Sequence, residues 1–157
     1  MRTAALFEKY DYNHRAAAQS AIGDVIAVCR EGELGYTEAA KDVRDPRLQE
    51  LFKLFADQRR IFADVLERHA VWVGGAPVAT PRISGWIHRK WLDVRAGIDH
   101  GSAVTLLAEC ERGEHAALNK YERALSVPMP EDLRGILLDQ VTEIRAAHDQ
   151  LDRMRGR

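Results

Sequence analysis

Cys29-Arg30-Glu31-Gly32-Glu33 decides the fold, because it returns later as Cys110-Glu111-Arg112-Gly113-Glu114. Each copy reads Cys-x-x-Gly-Glu and lies inside a run with helical periodicity. A glycine in mid-helix costs about 1 kcal/mol relative to alanine, so two at matching places mark a repeated architectural unit. Around the first copy, apolar residues fall at Ile22, Ile26, Cys29, Tyr36, Ala40 and Val43, in steps of four and three. That is the stripe of a helix facing a bundle. Position 33 belongs to the series and holds Glu33.

The stripe predicts a first helix over residues 21–43, with Ser20 as its N-cap. Residues 1–19 read as a separate N-terminal extension, a short helix docked on the body. Asp11-x-x-His14 within it has helical metal-ligand spacing but is an isolated motif, expected to be exposed. Asp45-Pro46 closes the first helix and opens a second, since proline suits the first helical position and Asp45 caps it. The second helix runs from Pro46 to Val73 along Leu48, Leu51, Phe55, Phe62, Val65, His69 and Trp72, and Gln58 takes the polar place in its seam. Gly74-Gly75 ends it.

Residues 74–101 form a long connection. After Pro77 and Pro81 its apolar residues Ile83, Ile87, Trp91, Val94 and Ile98, with Trp86 beside them, predict a shorter helix over 82–98. A connection of this length lets the third helix start at the far end of the bundle, parallel to the second. That third helix follows Asp99-His100-Gly101-Ser102 through Val104, Leu107, Cys110 or Glu111, then Leu118, Tyr121 and Leu125, with Glu114 mid-seam. Pro128-Met129-Pro130 links to a fourth through Leu133, Leu137, Ile144, Ala147, Leu151 and Met154, interrupted by Gln140. Two short hairpins joined by one long crossover make an all-α, ferritin-like four-helix bundle over residues 20–155, its crossover carrying an extra short helix.

Each helix thus places one polar residue in its seam: Glu33, Gln58, Glu114 and Gln140. Counted from the hairpins at 1.5 Å per residue, their depths agree within about one turn. The four side chains are therefore expected in one layer with approximate two-fold symmetry. Two buried carboxylates need a shared proton, donors or a cation. In the di-metal form of this architecture two helices give Glu and two give Glu-x-x-His. Here the second pair reads Gln58-x-x-Ile61 and Gln140-x-x-Glu143, without histidine. Two readings stand. One is a hydrogen-bonded Glu/Gln layer that fixes helix register without metal. The other is a divalent metal, iron or manganese, held by Glu33, Glu114, Gln58 and Gln140, with Glu143 reaching in.

Neighbours of the layer read mainly as packing. Tyr36 and Tyr121 are expected as core aromatics with bonded hydroxyls. Cys29 and Cys110 fall on opposite sides of the layer, which disfavours a disulfide. His69, His115 and His148 read as boundary or surface groups, and Arg59 or Arg60 is placed to neutralise a carboxylate.

Composition bounds the rest. With 46% apolar residues, 30% charged and net charge −1, the profile is that of a soluble globular protein with no electrostatic call for nucleic acid or membrane. No apolar h-region or membrane-length run is present, and two cysteines within helices suit a reducing, cytoplasmic setting. No nucleophile–base constellation points to a hydrolase.

Glu31-Gly32-Glu33-Leu34-Gly35-Tyr36, Ala39-Ala40-Lys41-Asp42-Val43, Glu109-Cys110-Glu111-Arg112-Gly113-Glu114 and Arg145-Ala146-Ala147-His148-Asp149 together resemble the bacterial ferritin-like family catalogued as domain-of-unknown-function family 2383. The resemblance implies a ferritin-like bundle of unassigned biochemical role, linked to stress responses. The expected function is non-catalytic, acting by binding or assembly as a homodimer or higher homo-oligomer, with Trp86 and Trp91 as a dimer surface. The alternative is a metal store or oxidoreductase using Glu33 and Glu114.

Overall fold

The computed structural model describes residues 2–74 and 103–156, with side chains from 14 to 70 and from 103 onward. Four helices account for them: α1 (Arg2–Asp42), α2 (Pro46–Gly74), α3 (Ala103–Leu125) and α4 (Glu131–Arg155). The helix and aromatic surface expected over 82–98 lie outside the described residues, as does the Asp11 side chain.

The α1–α2 corner forms as its sequence dictates. Asp45 accepts from the backbone N–H of Arg47 at 2.8 Å, capping α2 behind Pro46. Gln49 donates its amide to the Val43 carbonyl at 2.9 Å, satisfying a group at the end of α1. At the other corner Arg134 donates to the carbonyls of Leu125 and Val127, at 2.9 and 3.2 Å, and so closes the C-terminus of α3.

One expected boundary is corrected. Helix α1 does not begin at Ala21 behind a Ser20 cap; it runs unbroken from Arg2. No glycine or proline occurs before Gly23, and Ala16-Ala17-Ala18 are strong helix formers. Ala18 is buried while Ser20 is exposed, so the buried stripe already continues upstream of the expected start.

The apolar core falls into two clusters. One joins Ile22–Cys29 of α1 to Phe62–Ala70 of α2, Ala117–Ala124 of α3 and Leu133–Ile144 of α4. The other joins Tyr36–Val43, Leu48–Ala56, Leu106–Cys110, and Ala147 with Leu151. This pairing makes α1 antiparallel to α2 and α3, α3 antiparallel to α4, and α2 parallel to α3. The end of α2 and the start of α3 therefore lie at opposite ends of the bundle, as a long crossover requires. The fold is the expected all-α four-helix bundle, and its clusters meet at the height of residues 32, 59 and 114.

Candidate functional site

On α2, the residue reaching the boundary between the clusters is Arg59. Phe52, Phe55, Phe62 and Leu66 are buried around it, and steps of three and four from each of them pass through position 59. Arg59 itself is 1% exposed, and its guanidinium lies 5.7 Å from the Phe62 ring centroid. From α3, Glu114 (2% exposed) meets it. Arg59 Nη2 donates to Glu114 Oε2, and the Tyr36 hydroxyl of α1 donates to Oε1. One cation and one carboxylate thus face each other in the middle of the core. Burial alone would lower the Arg59 pKa; the neighbouring Glu114 carboxylate outweighs it, and the pKa is raised. Burial, reinforced by the Glu114 charge, pushes the Tyr36 phenol well above its usual range, so it stays a donor.

Gly32 makes room for this pair. A Cβ on Gly32 would stand 3.1 Å from Arg59 Cγ and 3.3 Å from Cδ, so the motif's first glycine admits the arginine stem. Its counterpart Gly113 is exposed, with nothing within 4 Å of a Cβ there. The repeated motif therefore does different work in its two copies. Gly113→Ala is expected to stabilise the protein by up to about 1 kcal/mol through helix propensity. Gly32→Ala should lose that gain against the Arg59 stem. Urea melts of both variants check the contrast, and equal gains would contradict it.

A second polar group lies within the first cluster. The Tyr121 hydroxyl donates to Gln140 Oε1 at 2.6 Å, and Cys29 Sγ lies 3.2 Å from the Tyr121 hydroxyl oxygen. Because the phenolic proton is committed to Gln140, the thiol is the donor in that contact. Gln140 Nε2 points to the Phe62 carbonyl at 3.5 Å. Burial, only partly offset by the Tyr121 contact, pushes the Cys29 thiol up to about 11. The same burial raises Cys110, so neither cysteine is a nucleophile near neutral pH. Both are free.

The four-residue layer is thus corrected. Of its expected members only Glu114 and Gln140 are buried, and Gln140 pairs with Tyr121 rather than with Glu114. Glu33 is turned away: Arg30 Nη1 holds it at 3.1 Å, while Arg30 also reaches Asp64 at 2.7 Å and Glu67 at 3.0 Å on α2. Gln58 lies at the surface edge of α2, donating to the exposed Glu143 at 3.1 Å. Counting from Pro128 put Gln140 at mid-height, but α4 starts at Glu131, and the height of Gln58 is reached a turn later, at Glu143. Among the histidines, His69 Nδ1 lies 2.9 Å from the Val65 carbonyl, His115 is exposed, and His148 sits 3.8 Å from Glu111.

For a divalent metal the donor set does not fit. Of the five expected donors, only Gln58 and Glu143 meet; Glu33 is held by Arg30 and Gln140 by Tyr121, and a guanidinium already occupies the electrostatic place of a cation beside Glu114. Among the described residues, no group of three or more His, Cys, Asp or Glu stands close enough to share an ion. Two buried polar atoms lack a hydrogen-bond partner here, Arg59 Nη1 and Gln58 Oε1.

A family model described as a domain of unknown function, DUF2383, matches residues 17–127. No curated protein matches the sequence. Among solved structures, a mutant form of Mycobacterium smegmatis Dps1 aligns with a TM-score of 0.74 at 13% identity, covering 91% of this chain and 97% of that one. At such low identity the likeness establishes a ferritin-like fold. Among the described residues no helix is long and apolar enough to cross a membrane.

Proposed function

Because the chain belongs to the DUF2383 family, whose description assigns no activity, we propose from its core that it is a non-catalytic helical-bundle protein acting through binding or assembly. One observation carries this reading. The polar centre is filled by its own counter-ion, Arg59 on Glu114, rather than built open around a ligand. A neutral, hydrogen-bonded pair of this kind sets helix register and partner choice. We place the protein in the cytoplasm, where its two unpaired thiols suit a reducing environment, and in a stress response, on the strength of the family resemblance.

One cheap measurement separates this reading from the metal-dependent alternative. Protein purified without chelator should carry no stoichiometric iron, manganese or zinc on elemental analysis, and calorimetric titration with each ion should give no saturable heat. Stoichiometric metal that is lost in Glu114→Gln would replace this reading with a storage or redox one.

A further inference from the structure

We draw no further inference here: the strongest candidate, the exposed Leu54 and Ile61 face of α2, carries nothing, because the charges along its edge are paired within the chain, Lys53 with Glu50 and Arg60 with Asp57 and Asp64, and nothing in the structure shows what covers it.

Discussion

Glu114→Leu should destabilise the bundle by about 3–5 kcal/mol, because it leaves the Arg59 guanidinium buried without its carboxylate. Arg59→Met should cost a similar amount for the converse reason, stranding Glu114 with Tyr36 as its remaining donor. The double variant Arg59→Met/Glu114→Leu should recover most of that loss, since replacing a buried ion pair by apolar groups of similar volume is often neutral or stabilising. Urea melts of the four proteins give a coupling energy between positions 59 and 114. A sum of singles equal to the double would mean that the two side chains do not meet. The sign matters for function as well as stability. A pair that can be exchanged for hydrocarbon with little loss of stability, yet with altered assembly, is a specificity device rather than a source of fold energy.

Raising the pH should unfold the protein through its buried acids, beginning with Cys29. Its thiol is pushed up from 9.0 to about 11 by burial. Below pH 9 the thiol is protonated in folded and unfolded chains alike, and its contribution to stability is complete. Between pH 9 and 11 the unfolded thiol gives up its proton while the folded one keeps it. Stability therefore falls across that window, by about 3 kcal/mol at 1.36 kcal/mol per unit. Tyr36, Tyr121 and Cys110 are raised as well, each chiefly by burial, and push in the same direction. Stability measured from pH 8 to 11 should decline less steeply in Cys29→Ala than in wild type, whatever the offset between them at pH 8. Parallel curves would show that Cys29 is not the buried, proton-holding group described here. At pH 8 neither cysteine should react with a thiol reagent until the protein unfolds.

Much of this architecture is legible in the sequence because helical burial has a period. The stripe Ile22, Ile26, Cys29, Tyr36, Ala40, Val43 is buried throughout, and so is Leu133, Leu137, Ile144, Ala147, Leu151 on α4. The hairpin at Asp45-Pro46 follows from backbone chemistry that proline cannot evade. The centre was harder to read for a physical reason. Periodicity locates a face to within one residue, and the chemistry of that residue then decides what is read there. Positions 58 and 59 both fit between Phe55 and Phe62, and a neutral amide looks the cheaper group to bury. Arginine is buried instead, because Glu114 neutralises it and Gly32 gives it space. On α1 the same ambiguity falls between Gly32 and Glu33, and the glycine faces α2 while Arg30 draws the carboxylate outward. Glycine carries no hydropathy signal, so the residue that admits the arginine is silent in a hydrophobic count. The true start of α1 was hidden differently: an alanine-rich helix has little amphipathic contrast, and Ser20 offers a cap signal in a place where no helix begins.

The central claim is that Arg59 serves as the fixed cation of this bundle. The most direct measurement is a crystal structure of the protein grown with excess manganese, using anomalous scattering to locate the metal. The account predicts the guanidinium on Glu114, the Tyr36 hydroxyl on its other oxygen, and no anomalous peak between α1, α2, α3 and α4. A manganese peak on Glu114, with Arg59 displaced and Glu33 turned inward, would contradict it.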